Sequence, residues 1–193
     1  MQSRLFTTAF PGTVLLAALL FAPLLPGSAV AADYPGAETG PAVPGYGPVF
    51  PVPEGAFALS NDRVYKVSKD VSASADDPAE RNPNIEALAR FLNMQARAGT
   101  AREQLRVAMI VHGGAWKDLL TDAAYRERFG IANPNTGLLD GLAAAGVKVY
   151  LCGQTAAYRK VTPAVLNPGV ELSLSAMAAH VQLQSEGYTL IPF

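Results

Sequence analysis

The stretch VKVYLCGQT, residues 147–155, decides the fold prediction, because a short apolar run ends there in a glycine-containing turn. An apolar run of this length, bounded by turn residues, is typical of a buried strand. Cys152, the only cysteine of the chain, closes the run, and the residues after Gly153 favour the start of a helix. The stretch therefore predicts a strand, a turn and a helix, with a single thiol at the carboxyl end of the strand.

Predicted strands and helices alternate outward from this stretch. The other strands are predicted at Val64–Val71, Leu105–Val111, Val170–Leu174 and Tyr188–Ile191. Helices are predicted after the capping pairs Asn82-Pro83 and Asn133-Pro134, where proline stands at the first helical position, and over Ser175–Ser185. Because alternation with short linkers favours right-handed crossovers, the sequence predicts an α/β fold: an open, mostly parallel sheet with helices on both faces.

The N-terminus has the layout of a secretory signal peptide. Arg4 supplies a positive charge, Val14–Leu25 is a short apolar stretch, and small residues follow at Ala29–Ala32. This layout predicts a signal peptide over residues 1–32 and export to the periplasm, with an uncleaved membrane anchor as the alternative. No later segment reaches the roughly 18 uninterrupted apolar residues of a membrane span, so we expect no membrane span after cleavage.

The chain after the signal peptide is predicted to have two parts. Residues 33–56 are rich in proline and glycine, a composition that buries little surface and predicts a disordered leader. Residues 57–193 are numerous enough for one α/β domain with its own hydrophobic core, but hardly for two. We therefore expect a single folded domain.

The composition argues against several classes of function. The formal net charge is -1 and no run of Lys or Arg forms a basic stripe, so nucleic acid is not an expected partner. One cysteine and two scattered histidines predict no metal site. The segment HGGAWK, residues 112–117, fits neither nucleotide-binding fingerprint, and Ser173 and Ser175 lie in no Gly-x-Ser-x-Gly elbow. We expect no cofactor and no serine hydrolase.

Two reactive side chains, Cys152 and His112, directly follow predicted strands. The carboxyl ends of parallel strands meet at one edge of a sheet, which is where ligands gather. A helix that starts after Cys152 favours the thiolate over the thiol, and His112 is a candidate to accept the proton if the two strands are neighbours. The alternatives are an inert, buried cysteine and a histidine that is hydrogen-bonded in its turn. His180, in the last predicted helix, is a weaker candidate.

The residues next to these two side chains complete the candidate site. Gly153 is expected to leave space for a reactant to approach the thiol, and the two backbone N–H groups after it are expected to stabilise the thiolate. The full set of candidate binding residues is Gly113, Gly114, Gly153, Gln154 and Thr155.

Several motifs together resemble the DsrE/DsrF-like sulfur-relay family. They are the strand that ends in Cys152, the following Gly153-Gln154, Arg159, the segment LSAM at 174–177 and the segment QSEGYTLIPF at 184–193. A second set is similar to the exported branch of that family: Asn82-Pro83, His112-Gly113, Tyr125-Arg126 and Asn133-Pro134-Asn135. The resemblance covers approximately residues 64–193, which is nearly all of the predicted domain.

The resemblance implies a flavodoxin-like domain that assembles into trimers or hexamers. It also implies a cysteine at the end of a strand that holds sulfur as a persulfide, and this cysteine corresponds to Cys152. Arg159 corresponds to an arginine that follows the cysteine in the family, although Lys160 replaces the glycine that commonly comes next. With His112, Arg159 is expected to add positive charge near the sulfur.

The sequence therefore predicts an exported sulfur carrier, or a sulfur transferase, that uses Cys152 and works with a thiol-bearing donor or acceptor protein. Two alternatives remain open. Cys152 merely packs within a non-catalytic, homo-oligomeric binding module, or it is a redox sensor that forms an intermolecular disulfide.

Overall fold

The computed structural model describes residues 34–192, so the predicted signal peptide lies outside the described residues. The strands are β1 (Tyr65–Val71), β2 (Leu105–Val111), β3 (Lys148–Cys152), β4 (Val170–Ser173) and β5 (Thr189–Ile191). The α-helices are α1 (Pro83–Arg97), α2 (Asp122–Phe129), α3 (Thr136–Ala144), α4 (Gly153–Arg159) and α5 (Ala176–Ser185). Short 3₁₀ segments span Arg102–Gln104, Gly113–Leu119 and Pro163–Val165. No helix in this part of the chain is long and apolar enough to cross a membrane.

The strands form one parallel sheet in the order β4-β3-β2-β1-β5. Parallel neighbours need crossover connections, and a helix joins each consecutive pair of strands. The chain steps from β1 to β4 in one direction and then returns past β1 to β5. Because crossovers are right-handed, α5 lies on the opposite face from the earlier helices. The predicted open α/β sheet with helices on both faces is confirmed.

The two faces of the sheet have separate cores. On one face, the odd-numbered residues of β2 pack in the larger cluster of buried side chains, together with α1 and α3. The even-numbered residues of β2 point the other way, and we call their side of the sheet the α5 face. The smaller cluster on the α5 face consists of Ala108, Ile110, Cys152, Ala176 and Leu183.

The predicted start of α1 is confirmed, whereas α3 starts later than predicted. Asn82 caps α1, since its side chain accepts a hydrogen bond from the N–H of Asn84 at 2.9 Å. α3 begins after Asn135 rather than after Asn133. The side chain of Asn133 instead donates to two backbone carbonyl oxygens near the end of the preceding 3₁₀ segment, at 2.8 and 2.6 Å.

A buried polar network holds the loops together near these helix starts. Asp118 is 1% exposed, and its carboxylate accepts hydrogen bonds from Ser74 and Asn82, both at 2.7 Å, and from Asn135 at 3.3 Å. Burial raises the pKa of Asp118, and the hydrogen bonds oppose that shift without cancelling it. The loop before α1 and the loop before α3 are thus tied to one carboxylate.

Part of the proline- and glycine-rich segment, residues 38–49, is packed rather than disordered as predicted. Val43 is completely buried in the larger cluster. Asn93 of α1 accepts a hydrogen bond from the N–H of Val43 at 2.8 Å, and it donates to the carbonyl oxygens of Tyr46 and Gly47 at 2.8 and 3.0 Å. A buried amide side chain thus pairs backbone groups that this segment cannot pair by itself.

Candidate functional site

The carboxyl ends of three adjacent strands bring together polar side chains on the α5 face. Val111 of β2 pairs with Leu151 of β3. The next residues, His112 and Cys152, therefore lie opposite each other at the carboxyl ends of these two neighbouring strands. Asp70 of β1 lies on the same side, because its carboxylate contacts the ring of His112. His112 was a candidate to accept the proton of Cys152 if their two strands are neighbours, and the strands are neighbours.

The thiol of Cys152 lies among hydrogen-bond donors from the starts of two helices. The groups that favour its charged form are the backbone N–H and the hydroxyl of Thr155 and the backbone N–H groups of Ala176 and Gln154, at the starts of α5 and α4. Burial raises the pKa of Cys152, but these donors outweigh burial and hold the pKa below its ordinary value. Donors that stabilise the charged form are the environment of a reactive thiol.

The sulfur lies at the rim of the smaller core. Cys152 is 6% exposed and belongs to the smaller cluster of buried side chains, together with Ile110 of the sheet and Ala176 of α5. By contrast, Leu174 and Met177, which flank the first residue of α5, are 78% and 77% exposed. The thiol is therefore covered by apolar neighbours on the sheet side and lies beside a part of the chain that is open to solvent.

A groove with a volume of about 390 Å³ runs along the α5 face. Ser173, which pairs in register with Cys152 in the sheet, is one of its lining residues. The lining residues are Lys148, Tyr150, Leu172, Ser173, Leu174, Ala178, Ala179, Gln182, Leu183, Glu186 and Tyr188. The groove thus combines apolar walls with charged and phenolic groups at its far end.

Gly153 is required by close packing of the backbone. A side-chain carbon at this position would lie 2.5 Å from the carbonyl oxygen of Ser173 and 3.2 Å from that of Leu174. The structure therefore gives Gly153 a packing role instead of the predicted role of leaving room for a reactant. The close approach of the end of β4 also fixes the first turn of α4, whose N–H groups point at the sulfur.

Gly113 and Gly114 lie in a turn against the end of β1. The N–H of Gly114 donates to the carbonyl oxygen of Ser72 at 2.8 Å. A side-chain carbon on Gly113, whose φ is +54°, would lie 2.8 Å from the same oxygen. The contacts of the two glycines are thus with Ser72, the residue after β1, and they belong to a tight turn rather than to the group of donors around the sulfur.

Arg159 lies at the far end of α4 from the thiol. Its guanidinium group is 5.7 Å from the centre of the Trp116 ring and 5.2 Å from that of Tyr158. Since the rise is about 1.5 Å per residue, the length of α4 separates Arg159 from Cys152 by roughly 10 Å. The expected positive charge beside the sulfur is therefore not supplied by Arg159 in this arrangement.

The structure also contains a carboxylate that the sequence analysis missed. Asp70 is 2.7 Å from Nε2 of His180, and both of its oxygens are 3.1 Å from Nε2 of His112. Burial raises the pKa of Asp70, but the hydrogen bonds from His180 and His112 outweigh burial, so the pKa lies below its ordinary value. The two histidines of the chain thus share one ionised carboxylate.

In residues 34–192, no group of three ligating side chains is placed to hold a metal ion.

The fold and the site together define the class of protein. It is a parallel α/β protein with one free thiol at the carboxyl end of an inner strand. The model of the DsrE/DsrF-like family matches residues 70–193, and the chain belongs to that family. The predicted resemblance is therefore confirmed.

Two solved structures are similar to the chain. One is MTH1491, a protein of unknown function from Methanobacterium thermoautotrophicum, with 19% identity and a TM-score of 0.51 over 67% of this chain and 99% of that chain. The other is the ychN protein from E. coli, with 18% identity and a TM-score of 0.49 over 67% of this chain and 100% of that chain. A comparison with curated proteins gave no significant match.

The Thr155 hydroxyl provides a test of the donors around the thiol. We expect Thr155→Val to raise the pKa of Cys152, because the variant removes the hydroxyl donor and keeps the backbone N–H. A hydrogen bond to a charged group is worth about 1.5–3 kcal/mol, so alkylation by iodoacetamide at pH 7 should slow about tenfold, with little change at high pH. Thr155→Ser keeps the hydroxyl and is the matched control. Equal rates for all three proteins at pH 7 would contradict the assignment.

Proposed function

We propose that the protein is an exported sulfur carrier that holds a sulfur atom on Cys152 as a persulfide and passes it to an acceptor thiol. The observation that carries the proposal is the position of Cys152 at the carboxyl end of β3 and directly before α4, where nearby N–H and O–H groups hold the pKa of the thiol below its ordinary value. Membership of the DsrE/DsrF-like family supports the same chemistry. The predicted signal peptide supports a site of action in the periplasm.

The proposed cycle consists of two transfers of one sulfur atom. In the first, the Cys152 thiolate attacks the outer sulfur of a persulfide or polysulfide donor, forms a new S–S bond and releases the rest of the donor as a thiolate. In the second, an acceptor thiolate attacks the outer sulfur of the persulfide, forms a new S–S bond with it, and releases Cys152 as a thiolate. Because each transfer exchanges one S–S bond for another, the cycle needs no additional oxidant or reductant.

The donors around Cys152 act in both transfers. They favour the attacking thiolate in the first, and in the second they stabilise the negative charge that returns to the sulfur of Cys152. The groove lined by Ser173, the strand neighbour of Cys152, is the proposed route by which a thiol-bearing donor or acceptor approaches. His112 is assigned no contact with the sulfur in this cycle.

Loading with polysulfide tests the proposal. The purified protein, freed of small molecules after exposure to polysulfide, is expected to gain the mass of one sulfur atom on Cys152. Incubation with N-acetylcysteine should then remove that sulfur. If no adduct forms and the native thiol resists alkylation until the protein is unfolded, the carrier proposal is contradicted and the packing alternative for Cys152 is favoured.

We also propose that the protein is a homo-oligomer. Leu174, Met177 and Val181 are spaced three and four residues apart and lie on one side of α5 and its start, with exposures of 78%, 77% and 69%. Neighbouring exposed apolar side chains are typical of a subunit contact. A second copy that covers Met177 and Val181 accounts for the exposure of these apolar side chains.

Met177→Asp is expected to weaken the assembly, because it places a charge on the proposed contact surface. Sedimentation velocity at micromolar protein should show a trimer or hexamer for the wild type and smaller species for the variant. Val52→Asp, at a residue that is 74% exposed and lies before β1, is the control and should leave the assembly intact. A monomeric wild type would contradict the proposal.

A further inference from the structure

The two histidines of the chain meet at one carboxylate beside the thiol. Nε2 of His180 is 2.7 Å from Asp70 Oδ1, and Nε2 of His112 is 3.1 Å from each Asp70 oxygen. These three residues come from three different elements: β1, the end of β2 and the middle of α5. Their side chains are partly covered, with exposures of 35% for Asp70, 32% for His112 and 19% for His180.

α5 links this cluster to the sulfur. Ala176, the first residue of α5, belongs to the same buried cluster as Cys152, and His180, four residues later, forms a hydrogen bond with Asp70. Residues four apart share one side of a helix, so α5 crosses the carboxyl ends of the strands from β3 to β1 with one side facing them. His112 directly follows β2, the strand between the other two, and therefore lies between the carboxylate and the thiol strand.

The hydrogen bonds determine which ring nitrogen carries the proton in each neutral imidazole. An ionised carboxylate only accepts hydrogen bonds, so each neutral ring must carry its proton on Nε2 and present Nδ1 as a base. Nδ1 of His180 is buried and has no hydrogen-bond partner among residues 34–192. The His112 side chain is the more exposed of the two, 32% against 19%, so we assign the role of base to its Nδ1.

The other charged side chains of the α5 face lie towards the opposite ends of the strands. Lys66 of β1, Arg106 of β2 and Lys148 of β3 occupy first or second strand positions, and Lys66 Nζ donates to the carbonyl oxygen of Glu186 at the end of α5. Glu171, in the second position of β4, pairs in register with Tyr150. Among the described residues of this face, the two imidazoles are therefore the side chains at the thiol end that can act as a nitrogen base.

We propose that Asp70, His112 and His180 form a proton relay that serves sulfur transfer at Cys152. His112 is the catalytic residue: its Nδ1 takes the proton of an acceptor thiol as that sulfur attacks the persulfide on Cys152. In the loading step the same ring, protonated, gives the proton to the thiolate that leaves the donor. Asp70 and His180 are positioning residues that fix the ring and its tautomer. This inference rests on the proposed carrier function.

The test compares two acceptors that differ in whether they need a base. Cys152 is loaded with sulfur from polysulfide, and single-turnover transfer at pH 7 is measured to N-acetylcysteine, which is mostly protonated, and to thionitrobenzoate, which is fully ionised. We expect His112→Gln to slow transfer to N-acetylcysteine by about 100-fold, the lower range for general base catalysis. Transfer to thionitrobenzoate should stay within about threefold of the wild type, because no proton has to be removed.

The positioning residues are tested in the same assay. Asp70→Asn and His180→Gln should slow transfer to N-acetylcysteine by about tenfold and alter its pH profile, while transfer to thionitrobenzoate is retained. Asp62→Asn, at an exposed carboxylate before β1, is the control and should match the wild type with both acceptors. The alkylation rate of Cys152 reports whether each variant keeps the thiol environment.

The relay and the carrier function fail in different ways. If the wild type transfers sulfur and His112→Gln matches it, or slows both acceptors equally, the relay is contradicted while the carrier function stands. If the wild type takes up no sulfur, the carrier function is contradicted and the relay with it.

Discussion

The Cys152→Ser variant is expected to take up no sulfur from polysulfide, whereas the wild type gains one sulfur atom. Serine is close in size to cysteine and its oxygen accepts the same hydrogen bonds, so the variant should keep the fold and the assembly. Its hydroxyl stays protonated at neutral pH and forms no persulfide. Intact-mass measurement before and after exposure to polysulfide shows whether sulfur is taken up. Sedimentation velocity shows whether the variant keeps the assembly.

The outcome of this variant separates the carrier proposal from its alternatives. Sulfur uptake by Cys152→Ser would place the adduct elsewhere and contradict the proposed role of the thiol. No uptake by either protein, together with an altered stability of the variant, would favour a cysteine that only packs. A reducible dimer of the wild type on a non-reducing gel, absent from the variant, would favour the redox sensor.

Gly153→Ala is expected to have the second largest effect, through the geometry of the donors. The added carbon would lie 2.5 Å from the carbonyl oxygen of Ser173, which is backbone and has no flexible end that can move away. The first turn of α4 must shift, and the N–H groups of Gln154 and Thr155 must shift with it. We expect overpacking to lower the free energy of unfolding by about 1–3 kcal/mol. Alkylation of the native thiol at pH 7 should slow about tenfold, since a hydrogen bond to a charged group is worth about 1.5–3 kcal/mol.

Gly114→Ala is the matched control for this prediction. A side-chain carbon at Gly114 has its nearest neighbour, the carbonyl oxygen of Ser72, at 3.6 Å, which is ordinary contact. This variant should keep the stability and the alkylation rate of the wild type. Equal behaviour of the two glycine variants in urea unfolding and in alkylation would show that the approach of β4 does not hold the thiol environment in place.

Much of the fold is predictable because its signals are local. The apolar runs at Leu105–Val111 and at 147–152 each predict a strand from their own residues. Asn82 followed by Pro83 is a local start signal for α1. Gln154 and Thr155 were predicted as donors for the same reason, since a helix that starts after a cysteine points its first N–H groups at the sulfur.

The rest of the site depends on contacts between distant parts of the chain. Asp70 and His180 are 110 positions apart and meet because α5 crosses back over the sheet. The sequence offers one weak signal, a carboxylate next to the end of a strand. Gly153 was misinterpreted for a related reason, because the backbone that fills its space comes from β4, twenty residues later. Asn93 looks like any polar residue of a helix until the N-terminal segment packs on it.

The central claim is that the native thiol of Cys152 is reachable and ionised near neutral pH. The most direct measurement is the rate of iodoacetamide alkylation of the folded wild-type protein as a function of pH, compared with the same protein unfolded in urea. Because the donors lower the pKa of Cys152, the folded rate should rise at a lower pH than the unfolded rate, whose midpoint lies near the free-thiol value of about 8.5. A folded thiol that reacts only after unfolding, or whose rate rises at a higher pH than that of the unfolded chain, would contradict the account.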